Sequence, residues 1–338
     1  MLSVLEVTAP IFALILAGFM APRLKLLPEG GVIGINAFVF YFALPAMLFR
    51  VVAQQPLNSF NAPSFIAGYT AAGLIVFGYM LWISKPVHGI KQSIAYGINS
   101  AHGNVGYLGV ALVTELAAHG GTAGKGLGSS VLAPIVLVIM CDILVIIVLA
   151  IACFEWVTQN ERRLEQSALS GSTGKTTSRF MLLLSVVWGI LKSPLVFSIL
   201  GGLVMVLMRE TTGLTLWAPI DTLIRILAAA AGPCALFAIG ASLGNKKIDL
   251  SPDVLGITVM KLLVHPVVTA VFLFGVFKID RLTAAIGVLA AALPAASNTF
   301  IIAERYQARG GPLASSILLG TVAAVITVSF VIWLLGLR

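Results

Sequence analysis

The 338-residue chain is 59% hydrophobic and 10% charged, with a formal net charge of +8. Soluble domains carry roughly 25% charged residues, so the composition excludes a soluble globular protein and marks an integral membrane protein with one polytopic domain. The positive balance would suggest nucleic acid in a soluble chain. Here the basic residues lie between apolar stretches, where they set orientation in a bilayer, and no nucleic-acid partner is expected.

A membrane-spanning helix needs about 20 apolar residues, with a range of roughly 17–25. Ten stretches qualify in chain order: 4–20, 31–53, 62–84, 93–115, 128–154, 194–209, 217–244, 254–277, 282–303 and 313–336. The first has no basic leader and no small-residue cleavage site, so it reads as a retained helix. The apolar stretch Phe180–Leu191 is cut off from the sixth span by Lys192, Ser193 and Pro194, and reads as an interfacial lead-in. Trp82, Trp156, Trp217 and Trp333 fall near span ends, where aromatic belts form. Cys141, Cys153 and Cys234 show neither disulfide nor metal spacing and read as small core residues.

One set of alternate loops carries thirteen Lys and Arg: Arg23, Lys25, Lys85, Lys91, Arg162, Arg163, Lys175, Arg179, Lys192, Lys246, Lys247, Arg305 and Arg309. The other set carries six: Arg50, Lys125, Arg209, Lys278, Arg281 and Arg338. The positive-inside rule places the first set in the cytoplasm and both termini outside. The longest loop, 155–193, is then cytoplasmic, and its centre, Ser167–Ser178, is rich in Ser, Thr and Gly, as in a flexible link. It separates a first five-helix repeat, 1–154, from a second, 194–338.

The two halves resemble each other. Pro10-Ile-Phe-Ala-Leu-Ile-Leu-Ala-Gly18 in the first span matches Pro194-Leu-Val-Phe-Ser-Ile-Leu-Gly-Gly202 in the sixth, and Pro45-Ala-Met-Leu-Phe49 in the second matches Pro233-Cys-Ala-Leu-Phe237 in the seventh. The fourth span is interrupted by Gly103-Asn104-Val105-Gly106-Tyr107-Leu108-Gly109, and the ninth by Leu293-Pro294-Ala295-Ala296-Ser297-Asn298. Glycine loosens a helix, and proline removes a donor and clashes with the preceding turn. Corresponding features five spans apart enter the membrane in opposite senses, which predicts a 5+5 inverted repeat. Paired breaks in such halves point to a transporter's binding site.

These motifs resemble the auxin efflux carrier family. The match is carried by Asn36-Ala-Phe-Val-Phe-Tyr-Phe-Ala-Leu-Pro-Ala-Met-Leu-Phe49, Lys261-Leu-Leu-Val-His-Pro266, Ala292-Leu-Pro-Ala-Ala-Ser-Asn-Thr-Phe-Ile-Ile-Ala303 and the glycine-rich fourth-span segment. Bacterial members of that family are commonly labelled malonate or organic-anion permeases. The resemblance covers almost the whole chain outside the central loop. It implies an all-α fold of ten transmembrane helices, with helices 1, 2, 6 and 7 as scaffold and helices 3–5 and 8–10 as a mobile transport domain. It further implies that the broken fourth and ninth helices cross at the substrate site, and that the protein is a homodimer. One position departs from the family: Ala111 stands where a proline is usual two residues after the glycine matching Gly109.

At such a crossing the ends of broken helices can hold an anion and a cation without many charged side chains. Asn104, Gly106, Tyr107, Pro294, Ser297 and Asn298 are therefore the candidate substrate-binding residues, against the plainer reading that they only satisfy freed backbone groups. His102 could face either the scaffold or the cavity. Asp142 lies near the centre of the fifth span, and Lys261 and His265 share a face of the eighth. Ionisable groups at that depth are expensive and usually functional, so the three form a candidate ion-coupling group in which Asp142 could pair with Lys261. The plainer alternative is a structural Asp–Lys pair with a neutral core histidine. Pro45 and Pro233 read as scaffold kinks that line the path of the mobile domain. Asp221 and Arg225 are four apart and read as an intrahelical pair, while Glu115 and Glu304 read as interfacial helix ends. Gly240-Ala-Ser-Leu-Gly244 fits the G-x-S-x-G hydrolase elbow, but it lacks the strand that elbow requires and ends an apolar helix.

The expectation is a secondary transporter of small organic anions, mono- or dicarboxylates such as malonate. It would be multi-pass in the plasma (bacterial inner) membrane, lipid-embedded, not an enzyme, and without cofactor or metal, driven by a proton, by sodium or by the substrate gradient. The alternatives are a cation/proton antiporter of similar topology, a membrane-embedded enzyme and a sensor.

Overall fold

The computed structural model describes residues 2–28, 30–54, 62–109, 112, 113, 116, 132–170, 194–244 and 249–337. Helix α1 (Leu2–Arg23) is followed by α2 (Gly31–Phe38), which runs through a π-helical turn (Val39–Ala43) into α3 (Leu44–Ala53). Helix α4 (Pro63–Ala101) is followed by a π turn at Val105–Gly109. Next come α5 (Leu132–Cys141), a π turn (Asp142–Ile147) and α6 (Val148–Ser170), then α7 (Pro194–Thr212) and α8 (Ala218–Gly244). Helix α9 (Pro252–Val259) passes through a π turn (Met260–Val264) into α10 (His265–Ala270) and a further π turn (Val271–Val276). The chain closes with α11 (Arg281–Ala291), α12 (Ser297–Arg305) and α13 (Gly310–Leu335).

The fold is all-helical and built for a bilayer. Among the described residues, seven helices are long and apolar enough to cross a membrane, and Arg281–Ala291 is a shorter apolar helix. The expected third and fourth spans stay separate helices within the range given as α4, the first carrying Pro86, because the chain leaves helical geometry at Gly89, where φ is 75° and ψ 170°. The expected ninth span is divided between α11 and α12. Trp82, Trp156, Trp217 and Trp333 are all exposed, as belt residues should be.

Two π turns have a shared cause. Pro45 and Pro266 stand at the starts of α3 and α10, each directly after a π turn. A proline cannot donate to the fourth residue back and clashes with its carbonyl. The wider turn takes up that misfit, so Leu44 donates to Val39 and His265 to Met260, each five residues back.

The helices pack in two groups. In one, α1 lies along α8, and α3 lies along α7 and α8. Small residues set the spacing in both crossings. A Cβ on Gly18 would fall 2.1 Å from the Phe237 carbonyl oxygen, and one on Gly240 would fall 1.9 Å from that of Ile15. A Cβ on Gly202 would fall 2.9 Å from the Phe49 carbonyl oxygen. The hydrolase-like Gly240 and Gly244 are thus close-approach residues against α1, and Arg23 Nε donates to the Gly244 carbonyl at 2.8 Å. In the other group, α4, α5, α6 and α9 to α13 surround the breaks.

Two local expectations are corrected. Residues 155–170 of the expected linker are helical, because α6 continues to Ser170. Its charged residues find partners: the Tyr306 hydroxyl donates to Glu155 at 2.8 Å, and Lys91 pairs with Glu161. Residues 171–193, including the expected interfacial stretch, lie outside the described residues, as do Ala111 and Glu115. Asp221 pairs across helices with Arg50 of α3 at 2.8 Å, not along its own helix with Arg225. Glu304 accepts from the Gly310 N–H at 3.1 Å and closes the turn between α12 and α13.

Candidate functional site

The two sequence interruptions meet in space. Helix α4 ends at Ala101, and His102 is extended, with φ −106° and ψ 121°. Gly103 forms an isolated antiparallel bridge with Ala295, between α11 and α12. The Asn104 N–H donates to the Pro294 carbonyl at 2.8 Å, and the Ala296 N–H donates to the His102 carbonyl at 3.4 Å. Each break thereby pairs backbone groups that the other frees, which is how non-helical backbone is tolerated inside an apolar protein.

Side chains finish the junction. Thr299 Oγ1 hydrogen-bonds Asn99 Oδ1 at 2.9 Å, and Asn99 Nδ2 donates to Ser316 Oγ at 3.2 Å. Ser316 and Thr258 share a further bond at 3.1 Å. Lys261 Nζ donates to the carbonyl of Ala291, the last residue of α11, at 2.7 Å and lies 3.0 Å from His265 Nδ1. A cation on the terminal carbonyls of a helix opposes the negative end of its dipole. The start of α12 has no side-chain cap, so its positive end remains available.

A cavity of about 140 Å³ opens beside this junction, small beside the roughly 300–1,000 Å³ of drug-sized sites. The breaks contribute His102, Gly103, Asn104, Val105, Gly106, Ala296, Ser297 and Asn298, and the fifth-span helix contributes Ile139, Asp142 and Ile143. The opposite wall is apolar: Leu44 and Met47 of α3 and Ala228, Ala231 and Ala235 of α8. The cavity therefore lies between the two groups of helices.

Of the candidate substrate residues, Asn104, Gly106, Ser297 and Asn298 line this cavity. Pro294 enters through its carbonyl, and the Tyr107 side chain lies outside the described residues. Pro45 and Pro233 do not border the cavity, although Leu44, Met47, Ala231 and Ala235 around them do. The ion-coupling candidates divide. Asp142, 1% exposed, opens a π turn and lines the cavity, while Lys261 and His265, 1% and 0% exposed, stand behind the bridge. The expected Asp142–Lys261 pair gives way to Asp142 Oδ2–His102 Nδ1 at 3.0 Å, because Lys261 is engaged by Ala291 and His265. Tyr69, an electrostatic neighbour of Asp142, and the network of Asn99, Thr258, Thr299 and Ser316 were not singled out from the sequence. A search for polar side chains inside apolar spans would have found them.

Chemically, the arrangement can grip a small anion between a helix N-terminus and neutral amides, beside a titratable pair. Comparison with known proteins places the chain among membrane transporters. A family model described as a membrane transport protein matches residues 3–332. A protein of Rhizobium meliloti (strain 1021) described as "Putative malonate transporter" is 27% identical over 331 residues, covering 96% of this chain and 94% of that one. The "Uncharacterized transporter YfdV" of Escherichia coli (strain K12) is 24% identical over 304 residues, covering 88% of this chain and 87% of that one. With the family model matched along nearly its whole length, the chain belongs to the auxin efflux carrier family of membrane transport proteins.

Proposed function

We propose that the chain is a secondary active transporter of small organic anions, malonate-like mono- or dicarboxylates, working by elevator-type alternating access. The observation that carries this reading is the pair of breaks joined at Gly103 and Ala295, which put an uncapped helix N-terminus and the Asn104 and Asn298 amides around one small cavity. A helix N-terminus favours an anion, and neutral amides release it again without breaking a permanent ion pair. The similarity to a protein described as a malonate transporter supports the choice of substrate class.

In this reading ten spans form a 5+5 inverted repeat, with both termini outside the plasma membrane. Two contacts support the repeat. Gly18 meets the Phe237 carbonyl, and Gly202 meets the Phe49 carbonyl. Gly18 and Gly202 occupy matched motif positions, as do Phe49 and Phe237, so each contact is the counterpart of the other. The scaffold is α1, α2, α3, α7 and α8. The remaining helices carry the site past its apolar wall, and the smooth Ala and Leu surface there suits sliding. Of the group Asp142, Lys261 and His265, ion coupling centres on Asp142 at the cavity wall, with Lys261 and His265 holding the junction behind it, and two copies of the chain form a homodimer.

Malonate counterflow in proteoliposomes containing the purified protein tests this reading. Exchange of labelled for unlabelled malonate is expected. Its absence for malonate, malate, succinate and acetate alike refutes an organic-anion carrier.

A further inference from the structure

Charge balance in the cavity raises a question that carrier function leaves open. Asp142 lines the space that, on the reading above, takes a carboxylate. Two negative groups in one cavity of about 140 Å³ repel strongly, because little water screens them. A positive charge has to stand between them. Lys261 acts electrostatically on Asp142 from behind the junction, but it is absent from the cavity wall and engaged by the Ala291 carbonyl and His265, so it does not stand between Asp142 and the substrate. Among the described residues that line the cavity, His102 alone can gain a positive charge.

The geometry of His102 suits the task. Its Nδ1 lies 3.0 Å from Asp142 Oδ2. A carboxylate only accepts, so Nδ1 carries a proton in this bond. Nε2 is then the nitrogen that takes up or gives up a proton. His102 lies at the start of the break, 6% exposed, on the cavity wall. The other groups packed around the pair are Tyr69, Cys141 and Lys261 beside Asp142, and His265 beside His102. Tyr69 Oη lies beside the Asp142 carboxylate, and His265 Nε2 is buried without a hydrogen-bond partner. The cluster thus keeps one unused imidazole nitrogen near the pair.

We propose that the His102–Asp142 pair is the proton-binding site of the carrier, and that each carboxylate is carried together with one proton held on His102 Nε2. The inference rests on the anion-carrier reading. The proton enters from the side to which the cavity is open. It turns the imidazole into an imidazolium lying between the Asp142 carboxylate and that of the substrate. It leaves with the substrate on the other side, which restores neutral His102. No bond other than N–H is made or broken. A site holding the imidazolium, Asp142 and a monocarboxylate carries one negative charge in place of two, which lowers the cost of moving it through the membrane.

The test is titration calorimetry of malonate binding to the purified wild-type protein, in two buffers of different ionisation enthalpy, alongside counterflow. At pH values where the unliganded site holds no extra proton, the wild type takes up a single proton per malonate bound, and affinity falls about tenfold per pH unit. His102→Asn keeps a donor near the Nδ1 position and has no titratable nitrogen, so it loses the proton uptake and its affinity no longer varies with pH. His102→Gln serves the same purpose if the first variant does not fold. Proton uptake that persists in either variant puts the proton on the substrate or elsewhere and overturns the assignment. Wild-type malonate binding and counterflow with no proton uptake overturn it and leave the carrier reading standing. Neither binding nor counterflow with malonate, malate, succinate or acetate overturns both.

Discussion

Lys261 offers the sharpest test of how the junction is held. Its ammonium is 1% exposed, donates to Ala291 O at 2.7 Å and lies 3.0 Å from His265 Nδ1. In Lys261→Met a side chain of similar reach has no donor, so the last carbonyl of α11 and one imidazole nitrogen lose their partners in a dry site. Each such orphan costs about 1–3 kcal/mol, and loss of the charge from the helix C-terminus costs about 0.3–1 kcal/mol more. Removing a buried ammonium also recovers part of its desolvation cost. The net expectation is a destabilisation of about 2–4 kcal/mol, a sizeable share of the roughly 5–15 kcal/mol of a typical native protein. The assay is reversible unfolding in mixed micelles, with sodium dodecyl sulfate as denaturant and circular dichroism as the signal, and malonate counterflow measured on the same preparations. A variant within about 0.5 kcal/mol of wild type, the usual range of an uninvolved substitution, refutes the idea that Lys261 secures the end of α11.

Other predictions follow from the site, the packing and the topology. Asn104→Ala and Asn298→Ala each weaken malonate binding by about ten- to a hundredfold, since a hydrogen bond to a charged group contributes about 1.5–3 kcal/mol; calorimetry on the folded variants checks this, and unchanged affinity moves the site elsewhere. Gly18→Ala brings a methyl 2.1 Å from the Phe237 carbonyl oxygen and lowers the unfolding free energy by at least about 1–3 kcal/mol. Gly202→Ala, with a 2.9 Å approach to Phe49, acts in the same direction more weakly, and equal stability of wild type and both variants counts against these crossings. Reporter fusions after Arg163 and Arg338 report cytoplasm and exterior respectively; the same side for both removes the inverted repeat.

Much of this protein is legible in the sequence because a bilayer imposes simple conditions. Apolar length marks the helices, and Gly and Pro in the middle of such a stretch mark a break, since backbone left unpaired there has to be satisfied by some other part of the chain. The matched Pro10–Gly18 and Pro194–Gly202 motifs, the break residues Asn104 and Ser297, and the buried Asp142, Lys261 and His265 could all be found in this way. Partner choice could not. Local spacing says that Asp221 and Arg225 can reach each other, and depth suggests that Asp142 and Lys261 can. Only the packing brings Arg50 to Asp221, His102 to Asp142 and the end of α11 to Lys261. Sequence likewise left His102 between scaffold and cavity, and read the residues after 154 as a loop because the apolar stretch ends there. Hydropathy and helix periodicity are properties of one segment at a time. A hydrogen bond between residues 40 or 171 positions apart depends on how the helices cross, which the tertiary structure alone decides.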